Sequence, residues 1–150
     1  MSTNYYNPFQ TSELYLPRIL REEIAALVTT GNKGSSPKLQ PFKRYIDFWF
    51  FAACLSIHLG ENPEELPNKL SDTWKFNDGT VLMNDRNRIE LMQIIGIETL
   101  KNSDASPQEI VRMFNNYAAL GSERIVSDVA KDQETTDPLW SLFNGVQSMI

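Results

Sequence analysis

The stretch Pro41–Gly60, PFKRYIDFWFFAACLSIHLG, restricts the fold more than any other part of the chain. Phe48 to Leu55 are eight consecutive uncharged residues, four of them aromatic. A helix that is apolar around most of its circumference must be covered on several sides. The segment therefore reads as a central core helix from Phe42 to Leu59, stopped by Gly60 and Asn62-Pro63. It is too short to span a bilayer, because Lys43, Arg44, Asp47 and His58 bracket only about ten uncharged residues.

One domain fits 150 residues with 41% hydrophobic and 22% charged content. We read residues 1–13 as an N-terminal arm and 14–150 as a single helical domain. The lone cysteine, Cys54, excludes an intramolecular disulfide, and with His58 it falls short of the four ligands of a structural zinc site. No cofactor is expected. A reducing cytoplasm suits this cysteine usage, and the start MSTNYYNPFQTSEL lacks a secretory pattern.

The net charge of −5 is unevenly spread: residues 1–60 carry +2 and residues 61–150 carry −7. Arg18, Arg21, Lys33, Lys38, Lys43 and Arg44 form the basic neighbourhood, where a nucleic-acid phosphate or an acidic partner would dock. The alternative for the same residues is solubilising charge on a loop.

In chain order, Leu14–Leu16 reads as a short extended segment, since Pro17 disfavours helix in the residue before it. Arg18–Thr30 has helical spacing and Thr30–Pro41 is a loop. Trp74–Met83 reads as a β-hairpin turning on Asn77-Asp78-Gly79. A helix capped by Asn84 or Asp85 is expected to end at Gly96. Ser106-Pro107-Gln108-Glu109 is a capping box opening a helix to Leu120, which Gly121 breaks before a further short helix. After the polar Lys131–Asp137 comes a last helix, Pro138–Met149, with Trp140 and Phe143 as candidate partner-docking residues. The expected fold is all-α, a compact bundle of about six helices around one apolar central helix, with a small hairpin near residues 74–83.

No phosphate loop, Ser/His/Asp set or HExxH motif is present. Cys54 and His58 stand at i and i+4 on the central helix, but a helix interior supplies no oxyanion hole, and a core thiol beside a helix-end histidine is the plainer reading. No catalytic or metal residue is assigned, and enzyme activity is not expected.

Two stretches together carry a family resemblance. They are the charged helix leading to the aromatic one, REEIAALV with PFKRYIDFWFFAACLSIHLG, and EIVRMFNNYAALGSERI with Tyr117, Ala118 and Gly121 at its centre. The pattern resembles small accessory proteins associated with bacterial DNA phosphorothioation (Dnd) modification and restriction systems. The resemblance implies a cytoplasmic, non-catalytic accessory subunit of an antiviral DNA-defence complex, working with larger protein subunits. The alternative is a DNA-binding or DNA-sensing subunit using residues 18–44. Homo-oligomerisation is left open.

Overall fold

A computed structural model describes residues 6–29, 41–63 and 72–131. They form two strands, β1 (Glu13–Pro17) and β2 (Thr73–Asp78), and four α-helices: α1 (Arg21–Ala25), α2 (Tyr45–His58), α3 (Arg86–Leu100) and α4 (Pro107–Lys131). Short 3₁₀ turns lie at Arg18–Leu20 and Gly79–Leu82. The expected all-α bundle of about six helices is thereby corrected to a small mixed α/β domain with a two-stranded sheet.

The correction begins at residues 74–83. Only the first arm of the expected hairpin is a strand, and its antiparallel partner is β1, some sixty residues upstream, with Leu16 opposite Trp74 and Pro17 opposite Thr73. Leu14 and Leu16 alternate into the core, fully buried, which gives β1 its driving force. After Asp78 the chain turns into a 3₁₀ helix because the Asp78 carboxylate accepts from Thr80 N (2.9 Å). Gly79 is there for proximity: a Cβ would lie 1.5 Å from the Phe9 carbonyl oxygen. Gly79 N donates to Ser12 O (2.7 Å) and Asn7 Nδ2 donates to Gly79 O (2.8 Å). These contacts seat Phe9 in the core at 0% exposure.

Helix α2 is the central element. Ile46, Phe48, Trp49, Ala52, Ala53, Leu55 and Ser56 are buried, whereas Lys43 and His58 are exposed and Asp47 and Cys54 half-buried. Its chief partner is α4. Trp49 stacks on Phe114 (5.5 Å) and Phe50 lies nearly parallel to the same ring (5.9 Å, 12°). Further along, Gly121 meets Ala52 and Ser56, and Arg124 pairs with Glu61. The contacts advance together along both helices, so α2 and α4 run parallel.

Helix α4 opens with the expected capping box: Glu109 N donates to Ser106 Oγ (3.1 Å) and Ser106 N to a Glu109 carboxylate oxygen (3.4 Å). It does not end at Leu120. Gly121 stays helical because its missing side chain admits α2, and the helix runs to Lys131. Helix α3, capped by Asp85 through Arg88 N (3.3 Å), likewise passes Gly96, which lies against Ile110 of α4, and ends on Lys101 in the left-handed conformation. Arg88 ties α3 to the start of α2 through Asp47 (2.9 Å) and packs over Phe50.

The predicted helix Arg18–Thr30 is shorter than its spacing suggested. Beyond α1 the chain leaves the helix so that Val28 can bridge to Phe42, with Thr29 N donating to Phe42 O (2.8 Å) and Phe42 N to Leu27 O (3.1 Å). The expected last helix, Pro138–Met149, lies outside the described residues. Among the described residues no helix is long and apolar enough to cross a membrane.

Candidate nucleic-acid interface

The stitch between Leu27–Thr29 and Phe42 brings two separate basic segments to one corner of the molecule. Arg18 and Arg21 arrive on the turn and helix after β1, and Lys43 and Arg44 on the approach to α2. All four are exposed. Lys33 and Lys38 fall in the connection between the stitched ends and lie outside the described residues, as do Trp140 and Phe143.

The corner is organised by aromatic residues of β2 and α2 that sequence reading did not select. On β2, Trp74 and Phe76 share one face by strand alternation, and that face packs on α2. Tyr45 meets Trp74 edge-to-face at 5.0 Å, and Trp74 meets Phe76 in the same way at 6.4 Å. Phe76 continues to the core residue Trp49 at 6.3 Å. The Arg21 guanidinium carbon lies 4.6 Å from the Trp74 ring centroid, a cation–π contact. Arg18 donates to the Thr73 carbonyl from Nε (3.4 Å) and from its terminal nitrogen (3.2 Å). Arg44 N donates to Asp47 Oδ2 (3.1 Å), which begins α2 and leaves the Arg44 side chain at the surface, 46% exposed.

Charge at the corner is mixed. Arg18, Arg21, Lys43, Arg44 and Lys75 stand near Glu22, Glu23, Asp47 and Asp72 in sequence. Asp47 is shared between Arg44 and Arg88, and Lys75 is paired with Glu13 at 3.4 Å. Pairs this exposed contribute little to stability. Their importance is that they lower the net positive field, so charge alone makes this a modest anion site.

Elsewhere among the described residues the arrangement offers little chemistry. Burial pushes the Cys54 thiol up to about 11, against the opposing pull of the Arg88 charge, so only on the order of one thiol in ten thousand is ionised at neutral pH. Such a thiol is a poor nucleophile, and its neighbour on the helix, His58, is exposed. Among the described residues no group of three or more His, Cys, Asp or Glu side chains could hold a metal ion. An open cleft of about 290 Å³ lies between the end of α3 and the first turns of α4, lined by Pro63, Leu100, Asn102, Arg112 and Tyr117 among others. Its carboxylate, Glu109, is occupied in the capping box.

A second surface lies on α3. Ile89, Met92 and Gly96 face inward, while Leu91 (47% exposed), Ile94 (65%) and Ile97 (38%) face solvent. Ile94 is opposite the buried face. Leu91 and Ile94 turn outward because, among the described residues, α3 packs along the face of Ile89, Met92 and Gly96. The outward apolar residues are flanked by the ion pairs Arg86–Glu90 and Lys101–Glu98. An apolar centre with a charged rim is the composition of a protein contact surface.

No known family, curated protein or solved structure matches this chain.

Proposed function

We propose that this chain is a non-catalytic, cytoplasmic accessory subunit of a bacterial antiviral DNA-defence assembly, and that it contacts nucleic acid through the Arg18, Arg21, Lys43 and Arg44 corner. The observation that carries the reading is the convergence of those cations, from two chain segments, around the half-buried Tyr45–Trp74–Phe76 cluster. The resemblance to Dnd-associated accessory proteins supplies the setting. The exposed Leu91, Ile94 and Ile97 on α3 support the subunit part of the reading, with a larger protein of the same assembly as their partner.

Gel retardation tests the nucleic-acid part. The full chain is expected to shift labelled DNA at low salt, with log affinity falling linearly in log salt concentration. Replacing Lys38 and Lys43 by Glu should abolish the shift, and the absence of any shift at low salt would remove this reading.

The subunit part is tested by co-purification from a bacterial host that encodes the chain beside its genomic neighbours. The wild-type chain is expected to retain a larger protein that Ile94→Glu loses, because a buried carboxylate opposes docking. Retention unchanged by Ile94→Glu would remove α3 as the docking face.

A further inference from the structure

Resting on the nucleic-acid reading above, we infer that the ligand of this corner is single-stranded nucleic acid, held by stacking of an unpaired base on the Arg21–Trp74–Tyr45 assembly. The geometry favours an unpaired base for three reasons. First, the indole is already positioned: Tyr45 packs against it at 5.0 Å with the rings nearly perpendicular, and Phe76 connects the cluster to the core residue Trp49. A platform fixed before binding loses little freedom on ordering. Second, Arg21 sits over Trp74 while its side chain is exposed to solvent. The guanidinium, 4.6 Å from the indole centroid, is therefore held at the aromatic cluster and reachable from solvent. Arginine planes and aromatic rings are the surfaces on which unpaired bases stack.

Third, the charge balance argues against a duplex. Inside a duplex the base faces are covered by their neighbours, so the corner could offer it only its cations. Those cations are nearly matched by Glu22, Glu23, Asp47 and Asp72. Stacking supplies the affinity that charge does not, and it is available only to an unpaired base. An acidic peptide would use the cations and leave the aromatic platform idle. Arg18, Lys43 and Arg44 then have the task of following the backbone phosphates, which fits their positions on the turns on either side of the platform.

Fluorescence anisotropy with the full chain tests this, using a labelled oligothymidylate of about twelve nucleotides, a length that covers the site sizes of small single-strand binders, against a duplex of the same length. The single strand is expected to bind about tenfold or more tightly than the duplex. Arg21→Lys keeps the charge and removes the planar stacking surface. It should weaken single-strand binding about fivefold or more, with the salt dependence unchanged. Lys43→Gln should do the reverse in character, flattening the salt slope by about 0.7. Trp74→Leu should weaken the single strand as Arg21→Lys does. If it unfolds the ribbon, the exposed Arg21→Lys variant decides alone.

A duplex bound as tightly as the single strand, or Arg21→Lys binding like wild type, would overturn the stacking site while leaving nucleic-acid contact intact. Loss of binding to both forms in the wild type would overturn both readings. Competition by polyglutamate as effective as that by oligothymidylate would reassign the corner to an acidic protein.

Discussion

Gly121→Ala should lower the melting temperature of this protein by about 5–10 °C, although alanine is the better helix former by about 1 kcal/mol. The sign reverses because of what stands opposite. A Cβ at position 121 would lie 2.0 Å from the Ala52 carbonyl oxygen and 2.9 Å from Ser56 Oγ. The first of these is backbone in the middle of α2 and cannot rotate aside. The two helices must move apart, loosening the Trp49–Phe114 and Phe50–Phe114 stacks beside the contact. Overpacking of this kind costs about 1–3 kcal/mol, and a backbone clash belongs at the upper end. Gly96→Ala is the matched control. Its Cβ would meet the side chain of Ile110 rather than backbone, with Cγ2 at 2.7 Å, Cγ1 at 2.8 Å and Cβ at 3.2 Å. Ile110 is buried and stiff at χ1, so this variant should also be destabilised, but by less than Gly121→Ala, because a side chain yields more readily than the backbone of α2. A thermal melt by circular dichroism checks both. An increase in melting temperature for Gly121→Ala would mean that α2 and α4 are not packed this closely in solution.

The same glycines explain where the sequence could be read and where it could not. A glycine after an apolar period marks either the end of a helix or the place where another chain comes too near for a Cβ, and the local sequence is the same in both cases. Gly60 is of the first kind, with φ +68° and no neighbour within 4 Å. Gly79, Gly96 and Gly121 are of the second. Reading them as a hairpin turn and two helix ends produces the hairpin of the expected fold, cuts α3 short and divides α4 in two. What stops α3 instead is Lys101, at φ +53°, for which its residue type gives no cue. Signals that act within one turn of helix were legible: the Ser106–Glu109 box and the Asp85 cap are both present. So was the apolar circumference of α2, because it depends only on composition. Strand pairing between β1 and β2 was not legible, since it depends on which distant segment presents a matching face.

The candidate site divides along the same line. Its cations could be found by counting charges, because their closeness in sequence survives folding through the stitch at Phe42. The aromatic platform could not. Trp74 looked like one half of a hairpin, and only the tertiary fold places its indole beside Tyr45 and beneath Arg21. A tryptophan two residues before a phenylalanine on a strand is a signal of a shared face. It says nothing of whether that face meets core, solvent or ligand.

Asn115→Leu should destabilise the protein by about 2–4 kcal/mol despite replacing a buried polar residue with an apolar one of similar size. Asn115 is 7% exposed and joins three elements. Its Oδ1 accepts from Tyr15 N (2.9 Å) and from Trp49 Nε1 (3.0 Å), and its Nδ2 donates to Glu13 O (3.2 Å). The bonds to Glu13 and Tyr15 are those that one residue of a parallel neighbouring strand would make. The α4 side chain thus closes the edge of β1 that β2 does not reach. Leucine supplies none of these bonds. The Trp49 N–H, on a fully buried indole, is left with no route to water, at about 1–3 kcal/mol for such a group. The β1 groups are only partly buried and can recover some loss from solvent. Denaturant unfolding of Asn115→Leu, Trp49→Phe and the double variant measures the coupling. Phenylalanine removes the indole N–H along with its need for an acceptor, so Asn115→Leu should cost about 1 kcal/mol or more less in that background. Additive losses would show that Asn115 acts through β1 alone. Because β1 holds β2 in register, with Leu16 opposite Trp74, the single variant should also weaken single-strand binding without touching a residue of the corner.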